Sequence, residues 1–195
     1  MYLYLVRHGQ SVGNVLRTFH GQTDYPLTEE GRRQAREAAE KLREVSFTRC
    51  CASDLRRAWD TAAACLEGRT VVPEACPALR EQDVGEMEDV GWEALEARYP
   101  GLPEAYLNDW FHVTPPGGES PEEMADRVGR CVDGIVRRGE DTLIAAHNGS
   151  LSLLLIHLGL ADSQSVLKPD LIFQQGTYSA VEVTEEGARL LYFNR

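Results

Sequence analysis

A chain of 195 residues can bury a core large enough to fold without a metal or disulfide staple. Its formal net charge of −11 disfavours nucleic acid and anionic membrane, which are bound through Lys and Arg contacts with phosphate. No apolar run approaches the roughly 20 residues of a membrane span, and Tyr2–Val6 is too short for a signal-peptide core, so the expected location is the cytoplasm. The five cysteines are odd in number and show no CxxC spacing. They read as small apolar side chains rather than as a disulfide framework or zinc knuckle.

Taken in chain order, Tyr2–Val6 is a short apolar, aromatic-rich run that predicts a buried strand, broken at Gly9. A loop then leads to Thr28, an N-cap candidate followed by Glu29 and Glu30, and Ala35, Ala38, Ala39, Leu42 and Val45 recur at helical spacing. Thr48–Ala52 reads as a second strand, Leu55 to about Leu66 as a second helix stopped by Gly68, and Thr70–Val72 as a weaker strand. Residues 81 to 118 differ in character: Trp92, Tyr99, Tyr106, Trp110 and Phe111 are interrupted by Pro100, Gly101 and Pro103, which predicts short helices. Ser120-Pro121-Glu122-Glu123 forms a capping box with proline at the first helical position, and Met124, Val128, Cys131, Val132 and Ile135 share one face behind it. Thr142–Ala146 is an apolar strand, Gly149 to about Leu158 a helix, and Thr177–Val183 with Arg189–Phe193 a closing hairpin. This alternation predicts a three-layer α/β fold: a mainly parallel central sheet, helices on both faces, and a small helical cap inserted at about 82–118 of a single domain, 1–195.

Two places share one layout. Tyr2–Val6 runs into Arg7-His8-Gly9, and Thr142–Ala146 runs into His147-Asn148-Gly149. Each strand delivers a histidine at its carboxyl end, where open α/β sheets bind their ligands. A lone histidine at a strand end is usually structural; the repeated layout and the adjoining Arg7 favour a site. His20, His112 and His157 form no HxH or HxxxH with these two, so no metal is expected.

These segments resemble the histidine phosphatase superfamily, the phosphoglycerate mutase-like proteins. Leu5-Val6-Arg7-His8-Gly9-Gln10-Ser11 with Asn14 is similar to the family's signature. The order then continues through Gly21-Gln22-Thr23-Asp24 with Leu27-Thr28 and Gly31, Ser53 to Ala58 with Thr61-Ala62, Leu79-Arg80-Glu81 with Gly85 and Glu86, and Ala146-His147. The resemblance implies that His8 carries the phosphoryl group, that Arg7 and Arg57 clamp it with planar guanidinium forks, and that His147 is a further donor. It assigns phosphate or substrate contacts to Asn14, Ser11, Gly21, Gln22 and Asn148. A leaving alkoxide needs a proton. In one branch of the family that acid is an Asp directly after the second histidine; here Asn148 stands there, and an amide supplies no titrating proton. Glu81 is the chosen acid, with Asp83 and Glu86 as rivals, and no cofactor is needed.

The function implied is a metal-independent phosphomonoesterase, its partner a small-molecule phosphate ester such as alpha-ribazole phosphate, or a range of esters. A bisphosphate-dependent mutase needs extra cations, yet between Glu81 and Arg127 only Arg98 and His112 are basic. The aromatic residues there suit an apolar ester body, or form core beneath the cap. A mutase and a non-catalytic phospholigand-binding relative are the alternatives. A homodimer is compatible with the sequence.

Overall fold

The computed structural model describes residues 1–195. Its elements are β1 (Tyr2–Arg7), α1 (Val12–Leu16), α2 (Glu29–Lys41), β2 (Arg49–Ala52), α3 (Arg56–Leu66), β3 (Pro73–Ala75), α4 (Trp92–Arg98), α5 (Leu102–Asp109), α6 (Pro121–Arg138), β4 (Thr142–Ala146), α7 (Asn148–His157), β5 (Ser179–Thr184) and β6 (Gly187–Tyr192). The six strands form one sheet in the order β3-β2-β4-β1-β5-β6. β3, β2, β4 and β1 run parallel, and β5 and β6 are antiparallel additions at one side.

Strand alternation builds a core on each face. Leu3, Leu5, Cys51, Ile144 and Ala146 point to the side covered by Val128 and Val132 of α6 and Leu151 and Leu154 of α7. Val6, Cys50, Ala52, Leu143 and Ala145 point to the other side, beneath Ala38 of α2 and Ala62 and Cys65 of α3. A third, smaller cluster holds Val84, Met87 and Leu95, against which Phe19, Tyr99 and Tyr106 pack. The expected capping box and N-cap form: Ser120 and Glu123 bond reciprocally, and Thr28 Oγ1 accepts from Gly31 N.

Three local expectations fail. The third strand is Pro73–Ala75 rather than Thr70–Val72. Pairing with β2 begins only where Pro73 meets Cys50, because Gly68 turns the chain with φ 76° and Arg69 is tied to the carbonyls of Val45 and Leu42. Val72 is left 77% exposed, so β-branched propensity was a poor guide there. The loop after Gly9 contains a short helix, α1, whose N-cap Ser11 forms a capping box with Asn14. Val45 lies beyond α2, which ends at Lys41.

Where the loop after β1 passes the start of α2, the two backbones touch. A Cβ on Gly9 would lie 2.3 Å from the Gly31 carbonyl oxygen, and one on Gly31 would lie 2.0 Å from the Gln10 carbonyl oxygen. Gly31 is helical, and alanine in an open helix would gain about 1 kcal/mol. Here Gly31→Ala is expected to lose about 1–3 kcal/mol instead, through overpacking against backbone. Urea denaturation reads the sign, and a raised midpoint would show that the Gln10 carbonyl yields.

Candidate functional site

Because β1 and β4 are parallel neighbours with Arg7 opposite Ala146, their carboxyl ends coincide, and the His8 amide donates to the Ala146 carbonyl at 2.9 Å. The two histidine rings stand side by side, their centroids 5.0 Å apart. Both are buried, His8 at 4% exposure and His147 at 0%. His8 Nδ1–H donates to the Gly9 carbonyl at 2.7 Å. That bond fixes the tautomer and leaves Nε2 as an unprotonated lone pair. Ser53 Oγ lies 2.9 Å from His147 Nε2, while His147 Nδ1 is buried and has no partner within the protein.

Two guanidinium groups complete the cluster. Arg57, on the first turn of α3, is 1% exposed and is held by backbone: Nη1 donates to Thr23 O at 2.8 Å and Nη2 to Gly21 O at 2.5 Å. Arg7 Nη1 donates to Phe173 O at 2.8 Å, and Phe173 N in turn donates to Asn148 Oδ1 at 3.0 Å. Arg7 Nε and Arg57 Nε are buried without a partner. Burial lowers the proton affinity of both arginines, opposed in each case by the charge of Glu81. Guanidinium nevertheless stays charged. Burial, with Arg57 acting next, also holds both histidines well below the ordinary imidazole value of 6.5, so both rings are neutral near pH 7. A neutral imidazole lone pair among buried N–H donors can attack an electrophile whose oxygens are anionic.

Glu81 borders this cluster. Its Oε2 accepts from Gly149 N at 3.1 Å and its Oε1 from Gln82 N at 3.2 Å. A Cβ on Gly149 would lie 2.2 Å from Glu81 Oε1, so glycine is what lets the carboxylate reach the start of α7. The rivals are otherwise engaged: Asp83 Oδ1 accepts from Gly85 N at 2.9 Å, and Glu86 pairs with Arg98 and with the Tyr99 hydroxyl.

The remaining sequence-selected residues have their polar groups partly engaged. Ser11 is buried, and its N–H and Oγ–H both donate to Asn14 Oδ1; Asn14 Nδ2 faces His20. Gly21 lends its carbonyl to Arg57, and Gln22 Nε2 donates to the Glu81 carbonyl at 3.3 Å. Beside them opens a cavity of about 250 Å³ lined by Phe19, His20, Glu81, Tyr106, Trp110 and Asn148, among others. A larger concavity of about 490 Å³ lies between α2 and α3, away from the histidines, and is lined by Arg36, Arg43 and Arg69.

Sequence reasoning passed over several supports. Glu88 accepts from the amides of Gly21, Gln22 and Thr23 and from the Thr23 hydroxyl, which fixes the carbonyls that hold Arg57. Arg127 Nη2 donates to the Glu81 carbonyl at 3.0 Å. Gln82, 1% exposed, accepts from the Tyr106 hydroxyl at 2.7 Å. Only Ser53, inside a quoted motif, carried a sequence signal.

The chain belongs to the histidine phosphatase superfamily, branch 1, matching that description over residues 3–195. It is 33% identical to an adenosylcobalamin/alpha-ribazole phosphatase of Salmonella typhimurium, over 100% of this chain and 96% of that one. It is 38% identical to a 2,3-bisphosphoglycerate-dependent phosphoglycerate mutase of a Methylobacterium species, over 80% of this chain and 79% of the relative. The solved alpha-ribazole phosphatase of Shigella flexneri superposes with a TM-score of 0.90 at 31% identity, covering 100% of this chain and 96% of that one.

Neutral burial of the histidines has a stability consequence. Their folded pKa values lie below the unfolded value of 6.5, so the unfolded chain binds protons first as the pH drops. Stability is therefore complete above about pH 6.5 and declines below it, by up to about 1.4 kcal/mol per pH unit for each histidine. Thermal unfolding in phosphate-free buffer between about pH 7.5 and 5 is expected to show a steeper loss for the wild type than for His147→Asn. Parallel curves would refute this.

Proposed function

We propose that the protein hydrolyses a small phosphate monoester in two steps through a phosphohistidine on His8. The observation that carries this is the free Nε2 lone pair of His8 placed among buried, unpartnered donors: His147 Nδ1, Arg7 Nε and Arg57 Nε. Ser53 Oγ, which accepts from Leu55 N, turns its hydrogen to His147 Nε2 and leaves Nδ1 as the protonated donor.

In the first step the His8 Nε2 lone pair forms a bond to phosphorus as the ester P–O bond breaks. The charge on the phosphoryl oxygens is met by the two guanidiniums and His147. Glu81, in its protonated form, gives its proton to the departing alkoxide. In the second step water attacks phosphorus, Glu81 takes the proton back, the P–N bond breaks and phosphate leaves. The donor set is cationic with a single carboxylate, which suits an anion rather than a divalent metal, so the reaction runs without one.

Residues 82–118 act as a cap over the ester body. Their aromatics share two duties: Tyr99 and Tyr106 pack against the small cluster under the cap, and Tyr106 also lines the cavity with Trp110. The two basic groups of the cap are spent on neighbours, Arg98 on Glu86 and His112 on Asp109, so the cap offers no free cation to a second phosphate. This favours a phosphatase over a bisphosphate-retaining mutase. Alpha-ribazole phosphate, or several esters with an apolar body, fits the cavity wall. The cytoplasm is the proposed location.

Phosphate release with chelator present, measured on p-nitrophenyl phosphate, alpha-ribazole phosphate and 3-phosphoglycerate, tests the reading. Interconversion of phosphoglycerates without phosphate release would replace it by the mutase. His8→Ala is expected to cut release at least about 10³-fold while the protein stays folded. Glu81→Gln should slow the phosphorylation of His8, read as the first turnover by rapid quench, about 10²–10⁴-fold with an alkyl phosphate but far less with p-nitrophenyl phosphate, whose leaving group needs no proton. Equal slowing of that step with both substrates would take the acid role away from Glu81.

A further inference from the structure

One short loop serves the ester cavity, the phosphate clamp and the acid together. Thr18, Phe19 and His20 line the cavity that Glu81 borders. Directly after them come both carbonyls that hold Arg57: Gly21 O accepts from Nη2 and Thr23 O from Nη1. The loop also touches the mounting of the acid. Gln22 Nε2 donates to the Glu81 carbonyl at 3.3 Å, and a Cβ on Gly21 would lie 1.7 Å from the Gln82 carbonyl oxygen. Where residues 21–23 sit therefore fixes where Arg57 stands relative to Glu81.

The turn that opens the cap holds this loop in place. Phe19 N donates to Val90 O at 3.2 Å, Asp89 N donates to Phe19 O at 2.7 Å, and Thr18 pairs with Gly91 in an antiparallel bridge. The Phe19 ring lies 6.3 Å from Trp92 and 6.0 Å from Tyr106, centroid to centroid. Next to these ties, Glu88 turns its carboxylate to the amides of the loop. Oε1 accepts from Gln22 N at 2.6 Å; Oε2 accepts from Thr23 N at 3.2 Å and from Thr23 Oγ1 at 2.7 Å; Gly21 N stands 3.1 Å from both oxygens. A carboxylate accepts on both oxygens, whereas an amide of the same shape would turn its own N–H groups on some of these donors. The far end of the loop is pinned separately, by Asp24 Oδ1 accepting from Arg56 N at 2.6 Å. Glu88 contributes charge as well as shape: burial lowers the proton affinity of Arg57, and Glu88 joins Glu81 and Asp24 in opposing it.

Taking the ligand to be a phosphate ester, as proposed above, we propose that Glu88 is a positioning residue for phosphoryl transfer. It acts through Arg57, by holding the Gly21 and Thr23 carbonyls where they aim the guanidinium at the ligand. Arg57 Nε is the buried donor left without a partner for an oxyanion. Guanidinium is a rigid plane, so a displaced carbonyl carries that donor with it. A misplacement of about 1 Å in such a clamp costs as much as about 10²-fold in rate. Because Glu88 belongs to the cap, the element that walls the ester body also sets the clamp that grips the phosphate.

Inorganic phosphate titrated calorimetrically into the full-length protein tests the mount without any turnover; failure of the catalytic reading would show separately, as absent phosphate release. Glu88→Gln is expected to weaken phosphate binding about tenfold and to lower kcat/KM about 10–10²-fold, in a protein whose thermal unfolding shows it is folded. Arg57→Ala should lose more than that. In the Arg57→Ala background, Glu88→Gln should then change either quantity by less than about twofold, because the two residues act as one unit. Thr23→Val removes one donor to Glu88 and keeps its charge. It should show a smaller loss with the same dependence on Arg57, and it decides the matter where Glu88→Gln does not fold. Equal losses with and without Arg57, or unchanged phosphate affinity in folded Glu88→Gln, would overturn the proposal.

Discussion

Two guanidinium groups beside a single carboxylate, Arg57 held out of water and Arg7 half-buried, are the constraint around which the structure is arranged. Arg57 is 1% exposed, and its charge, with that of Arg7, reaches both histidines. Isolated buried charge is expensive unless its protons find acceptors. The acceptors are backbone carbonyls of Gly21, Thr23 and Phe173, drawn from loops far apart in the sequence. Carbonyls cancel the hydrogen-bonding deficit without cancelling the charge, so the positive potential survives for an anionic ligand. The acidic exterior, at net −11, sharpens the contrast, since the site's cations are concentrated where the rest of the molecule repels anions.

Carbonyls can serve that role only if their loops are rigid. Glu88 supplies the rigidity for residues 21–23 by collecting three successive amides, an anion in a backbone nest. The negative charge that stabilises the clamp is thereby placed behind the loop rather than against the ligand. On the other side, Asn148 orients Phe173, whose carbonyl orients Arg7. The residue that stands where one branch of the family has its acid serves here as a spacer in a hydrogen-bond chain.

Much of this was legible in the sequence where the cause is local. The strand runs ending at His8 and His147, the Ser120–Glu123 capping box and the alternating cores all follow from spacing that a single element reveals. What the spacing could not reveal is adjacency. That β1 lies beside β4 in the register Arg7 to Ala146 depends on long-range pairing, and it decides whether the two histidines share a crevice. Glu88 was illegible for the same reason: beside Glu81, Asp83 and Glu86 it is one carboxylate among several, and only the folded loop selects it. Thr70–Val72 misled because two adjacent valines look like a strand, although the pairing edge begins three residues later at Pro73.

The acid and base roles proposed for Glu81 call for no mobile loop, because the residue is held at both ends. Its carbonyl is held by Gln22 Nε2 and Arg127 Nη2, and its carboxylate by the amides of Gly149 and Gln82. In the proposed reaction the acid therefore does not travel between steps; the charge beside it does.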